Sequence, residues 1–159
     1  MNPVLRQEPR ADDRVAIRDI VTSTGMFYDY EIDVAVELVD EWLKRGLASG
    51  YFFAFAEVDG RVAGYSCYGP IACTMHSYDL FWIAVHKDFQ GQGLGRLLLE
   101  ESERLIAATG GHRIYVETSS RDQYLPTRTF YEHCRYRLEA TLEDFYGPSD
   151  AKVVYVKVV

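Results

Sequence analysis

Gly91, Gly93 and Gly95 occupy alternate positions between an apolar run, Leu80-Phe81-Trp82-Ile83-Ala84-Val85, and a stretch whose leucines recur at helical spacing. Glycine lets the backbone come close to another group and adopt positive φ. Just before a helix it leaves the first N–H groups uncovered, and these carry the positive end of the helix dipole. Amides arranged in this way cradle a phosphate or diphosphate. A glycine-rich turn without a ligand is the competing reading. Among phosphate ligands a dinucleotide is the first rival, because strand, glycine loop, helix, strand and Glu117 follow in the order of a Rossmann unit. Two features separate the chain from that fold. Its spacing is Gly-x-Gly-x-Gly rather than Gly-x-Gly-x-x-Gly, and five residues, His86–Gln90, stand between the apolar run and Gly91. No Gly-Lys-Ser/Thr follows, which excludes a P-loop.

The elements that must hold this junction follow from the hydrophobic period. Val4–Glu8 reads as a short first strand. Asp13 is the expected N-cap of a helix running to about Thr24, with Val15, Ile17, Ile20 and Val21 on its apolar side. Gly25 stops it, and an aromatic, acidic loop follows. A second helix carries Ala35, Leu38, Val39, Trp42 and Leu43 and stops at Gly46. The period then changes to that of strands. Tyr51–Val58 and Arg61–Gly69 flank Asp59-Gly60, a hairpin signal. A third strand, Asp79–Val85, leads into the glycines, and a helix from about Gly93 to Ala108 ends at Gly110-Gly111. His112–Thr118 reads as a strand, the region around Thr127–Cys134 as a shorter helix, and Tyr136–Tyr146 and Ala151–Val159 as two closing strands. No internal repeat or linker interrupts this order, so one domain over residues 1–159 is expected.

At this point the residues resemble a known family. Ile83-Ala84-Val85-His86-Lys87-Asp88-Phe89-Gln90-Gly91-Gln92-Gly93-Leu94-Gly95-Arg96 is similar to motif A of the GNAT superfamily, the acetyl-CoA-dependent N-acyltransferases. The signature Gln/Arg-x-x-Gly-x-Gly/Ala is met by Gln90, Gly93 and Gly95. Arg128-Thr129-Phe130-Tyr131-Glu132-His133 resembles the motif that follows. The resemblance implies an α/β (α+β) domain with a mixed, mostly antiparallel sheet of about six or seven strands, about four flanking helices, and a splayed parallel pair around the cofactor. It further implies acetyl-CoA as cofactor, its diphosphate on the amides from Gly91 through Gln92, Gly93, Leu94 and Gly95 to Arg96. Ile83, Ala84 and Val85 match the strand whose backbone pairs with the pantetheine arm, and the Val85 amide would polarise the thioester carbonyl. Tyr131 matches the tyrosine that serves as general acid toward the sulfur. Glu117 and Asp79 match two positions where members carry a base, and the choice between them stays open. Where members often carry an asparagine, this chain has Tyr124, which would stack on the cofactor rather than hydrogen-bond to it. Arg121 and Arg128 are candidates for the 3′-phosphate.

The acceptor is read from two segments that set specificity in such proteins. Phe27, Tyr28 and Tyr30 lie in one, and Phe145 and Tyr146 in the other, each set beside carboxylates. Aromatic faces near acids suit a cationic amine: a small amine, an amino acid or a peptide end. The formal net charge of −7 and the lack of a basic run argue against nucleic acid as partner. No apolar run has the length of a membrane span, and Met1–Arg14 lacks the apolar core of a secretory leader. Three cysteines without metal-type spacing suggest a reducing compartment, with the cytoplasm as default and no metal expected. A homodimer is left open, as are a catalytically silent acyl-CoA-binding domain and a dinucleotide-dependent oxidoreductase.

Overall fold

The change from helical to strand period near Tyr51 marks where the backbone passes from a helical pair into the sheet. The computed structural model describes residues Met1–Val159. In chain order it contains β1 (Val4–Arg6), α1 (Asp13–Ser23), α2 (Asp29–Arg45), β2 (Phe52–Val58), β3 (Arg61–Pro70), β4 (Ser77–Val85), α3 (Leu94–Ala108), β5 (Arg113–Ser119), α4 (Leu125–His133), β6 (Arg137–Gly147) and β7 (Asp150–Val158). The strands follow the order β1-β2-β3-β4-β5-β7-β6. The sheet is mixed: β4 and β5 run parallel, with Ser77–Leu80 opposite Arg113–Val116, and both strands continue past that register. The expected α/β class with seven strands and four helices is present.

The chain divides into two units, Met1–Gly69 with Trp82–Leu105, and Pro70–Phe81 with Ile106–Val159. In the first, Ile17, Ile20 and Val21 of α1 and Ala35, Val36 and Val39 of α2 bury against Phe53, Phe55, Tyr65 and Ala84 of the sheet. A second cluster joins Ala54, Ala56, Val58 and Ala63 to Leu94 and Leu98 of α3. Gly64 lets β3 approach both β4 and α3, since a Cβ there would stand 2.9 Å from the Ala84 carbonyl oxygen and 3.1 Å from Leu98. This packing fixes the position of α3 relative to the end of β4.

Several sequence expectations are corrected here. Asp13 is not the N-cap but the first residue of α1, and it is buried. Its carboxylate accepts the Arg6 guanidinium at 2.8 and 2.9 Å and the Arg10 N–H at 2.6 Å. A buried carboxylate needs such partners, which outweighed the capping role. Val15 is 75% exposed and Leu43 38%, because the apolar period does not show how wide a stripe the sheet covers. The aromatic loop is shorter than expected. Asp29, Tyr30 and Glu31 form the first turn of α2, where Glu31 accepts the Tyr28 N–H in a capping-box arrangement and the acids favour the helix dipole.

In the second unit β7 lies between β5 and β6, pairing antiparallel with both. The β6–β7 connection is only Pro148-Ser149, and Phe145 and Tyr146 lie on β6, within the strand expected over Tyr136–Tyr146. Tyr131 of α4 packs with Tyr136 and Tyr155, at centroid distances of 5.7 and 6.1 Å.

Tyr65 of β3 is wholly buried, and its hydroxyl has no hydrogen-bond partner. Burial pushes its phenol well above the usual tyrosine range. A buried unpaired hydroxyl costs about 1–3 kcal/mol. Tyr65→Phe removes it without changing the ring that stacks on Phe55. The variant is expected to gain about 1 kcal/mol, or about 2–4 °C in melting temperature, in a thermal unfolding comparison. A lower melting temperature would refute this.

Candidate active site

The first unit contains the glycine junction. β4 ends at Val85, and Lys87–Phe89 make one tight helical turn before the glycines. His86, buried at this corner, donates its backbone N–H to Ala63 O at 2.8 Å and accepts the Asp88 N–H on Nδ1 at 3.2 Å. Its Nε2 lies 3.2 Å from Arg61 and 3.5 Å from Asp19. The Gln90 side-chain amide donates to the Val85 carbonyl at 3.0 Å, which folds the loop back onto the strand end. Gly91 and Gly93 adopt φ of +77° and +83°, and a Cβ built at either would meet nothing within 4 Å. The Gly93 carbonyl accepts Leu97 N–H, so α3 begins at this point. α3 therefore starts beside the open space at Gly91 and Gly93, with the positive end of its dipole at this junction.

The apolar side chains around the junction are committed to packing. Leu94 is 1% exposed, so only its backbone remains for a ligand. Ile83 and Val85 pack on the α3 cluster, while Ala84 and Trp82 belong to the α1–α2 cluster. Gly95 sits in the first turn of α3, Gln92 is exposed, and Arg96 pairs with Glu100 at 2.8 Å one turn along. Phe27 lies 5.0 Å from Trp82 and packs against the core, whereas Tyr28 and Tyr30 stack on each other in the open.

The second unit gathers the expected carboxylates. Asp79 lies opposite Tyr115, and Tyr115 and Glu117 project from the same face of β5. Burial, then the Glu117 charge, raise the Asp79 carboxyl above the ordinary range, against an opposing pull from Lys152. Glu117 is paired with Lys152 Nζ at 2.9 Å. That ammonium also stands 4.4 Å from the centroid of the Phe145 ring, whose edge-to-face neighbour is Tyr146.

Tyr131 is buried, and burial, with a smaller contribution from Cys134, pushes its phenol well above the usual range. It stays protonated at any working pH. Tyr124 precedes α4 with the Arg121 guanidinium 5.4 Å from its ring centre. Arg128, considered for the 3′-phosphate, donates to the Ser119 and Arg121 carbonyls at 2.6 and 2.9 Å and so braces the turn before α4. Arg121 pairs with Asp150 at 3.3 Å. Sequence reasoning did not single out Lys152 or His86. Lys152 sits in an alternating strand where only the register reveals its neighbours, and His86 carries no spacing signal.

The sequence profile of the acetyltransferase (GNAT) family matches residues 15–136. A GNAT-family structure from Desulfovibrio desulfuricans superposes with a TM-score of 0.97 at 44% identity, covering 99% of each chain. An aminoglycoside 6′-N-acetyltransferase in complex with coenzyme A gives 0.77 at 17% identity over 98% of this chain and 96% of that one. The ribosomal-protein-alanine N-acetyltransferase from Brucella melitensis gives 0.76 at 20% identity over 98% and 99%. No curated protein matches in sequence. The fold is that of an acyl-CoA-dependent transferase. The chain belongs to the GNAT acetyltransferase family, whose members use acetyl-CoA. No helix is long and apolar enough to cross a membrane.

Proposed function

We propose that the chain, acting as one transferase domain over residues 1–159, moves an acetyl group from acetyl-CoA to a primary amine by direct attack in a ternary complex. The observation that carries this reading is the glycine junction, where two positive-φ glycines leave open space at the start of α3. These residues fit a diphosphate: Gly91 to Arg96 would hold it through backbone amides, with Ile83, Ala84 and Val85 offering the backbone of the adjoining strand. Gln90 supports the loop through its bond to Val85. Acetyl-CoA, when bound, supplies the activated acyl group.

This chain's own residues supply the proton chemistry. An alkylammonium with a pKa of about 10 must lose a proton before it can attack. Glu117 is already engaged by Lys152, whereas Asp79 has a raised proton affinity from burial and from Glu117. Asp79 therefore acts as the base, directly or through a water. Tyr131 Oη donates toward the departing sulfur, and its raised phenol pKa keeps that donor protonated. Phe145 and Tyr146, with Asp79 and Glu117, favour a cationic acceptor. Three free cysteines agree with a cytoplasmic setting.

Asp79→Asn tests the base. The folded chain raises the carboxyl pKa, so the native state holds that proton more tightly than the unfolded chain does. Stability thus falls as pH rises from the ordinary carboxylate value of about 3.9 through the raised folded value, and the penalty is complete above it. Asp79→Asn is expected to be more stable than wild type near pH 7, with the difference vanishing below about pH 4. Its transfer rate should drop about tenfold or more. Urea unfolding at the two pH values and a transfer assay measure both. An unchanged rate would remove Asp79 as base.

A further inference from the structure

Lys152 places a primary ammonium in surroundings that would suit a substrate amine. Its Nζ is 2.9 Å from a Glu117 carboxylate oxygen and 4.4 Å from the centre of the Phe145 ring, with Asp79 in electrostatic reach. The register explains the cluster. Glu117 lies opposite Val154 and Lys152 opposite Ser119, so the two are diagonal neighbours on one face. The irregularity of β6 between Leu142 and Gly147, with Asp144 at φ +54°, accompanies the placement of the Phe145 ring over that ammonium. The lysine side chain is only 17% exposed, while Glu117 remains 47% exposed and Phe145 52%. The cage is thus accessible from solvent on its acid and aromatic sides.

We propose that Lys152 is an internal stand-in for the acceptor, occupying a cage of Glu117, Asp79 and Phe145 until an alkylammonium displaces it. The inference rests on the acetyl-transfer reading and narrows its acceptor to amines that are protonated in solution. The exchange is neutral in charge, since one ammonium replaces another and Glu117 is never left unpaired. The lysine stem, with its rotatable bonds, carries the displaced charge outward into water. An anionic or neutral acceptor gains nothing from such an exchange. Lys152 therefore sets acceptor specificity by competition.

The test uses the full chain without acetyl-CoA, titrated with n-butylammonium chloride at constant ionic strength and followed by backbone amide NMR at Glu117 and Phe145. Lys152→Met keeps the stem and removes the competitor. It should bind n-butylammonium about tenfold more tightly than wild type, the scale of one ion pair with a cation–π contact. Adding Phe145→Ala, an exposed position, or Glu117→Gln should reverse the gain. Equal or weaker binding by Lys152→Met, or a gain that survives both second changes, would overturn the proposal and leave Lys152–Glu117 as an ordinary cross-strand pair. The titration needs no turnover. A chain that transfers acetyl to no amine, yet shows the tenfold gain, would refute the transfer reading and not the cage.

Discussion

Tyr131→Phe is expected to lower the rate of acetyl transfer by about a hundredfold or more, within the range of a lost proton donor. The change removes one hydroxyl and keeps the ring that packs on Phe130, Tyr136 and Tyr155. The melting temperature and the stabilisation by coenzyme A should therefore stay close to those of wild type. That separation of rate from binding is what distinguishes a chemical role from a packing one. Because burial holds the phenol far above its ordinary value, ionisation of Tyr131 should cause no loss of rate up to about pH 10. Steady-state rates across pH, with thermal shifts in coenzyme A, measure all of this. A variant as fast as wild type would show Tyr131 to be structural. A wild type with no transfer but clear coenzyme A binding would favour a silent binding domain.

Gly93→Val has the second large effect, on the cofactor rather than on chemistry. Gly93 holds φ at +83°, where a β-branched residue is strained by about 1–2 kcal/mol. Its added side chain would also fill the open space at the start of α3. Both effects act where the diphosphate is proposed to lie. Affinity for acetyl-CoA is expected to fall about a hundredfold or more, cutting a stabilisation of about 2.7 kcal/mol at a ligand concentration of 100 times the wild-type Kd to about 0.4 kcal/mol or less. Gly25→Val is the control. Gly25 ends α1 at φ +68° with open space around it, so the same strain falls outside the glycine loop. Gly25→Val should lose stability but keep its response to acetyl-CoA. Equal affinities in wild type and Gly93→Val would place the nucleotide elsewhere.

The parts of the fold that were legible are those written in neighbouring residues. Asp59-Gly60 turns between β2 and β3 with both residues at positive φ, and Gly46 ends α2 at φ +59°. The glycine loop was legible for the same reason, since its backbone conformation and the helix it opens are local consequences of sequence. Amphipathic period was less informative at the margins. It gave the apolar side of α1 but assigned exposed Val15 to it, because the width of a buried stripe depends on what packs there. Asp13 shows the same limit, as its choice between cap and ion pair depended on Arg6 of β1.

The sequence alone determined the element order, the hairpin and the glycine loop that opens α3, all set by steric and hydrogen-bonding preferences of adjacent residues. Tertiary structure decided which carboxylate is paired with an ammonium. Glu117 and Lys152 lie far apart in the chain and meet only through the β5–β7 register, and Phe145 covers that ammonium only because β6 extends and bends there. Strand register is a non-local property. A shift of one residue would send every one of these side chains to the opposite face of the sheet.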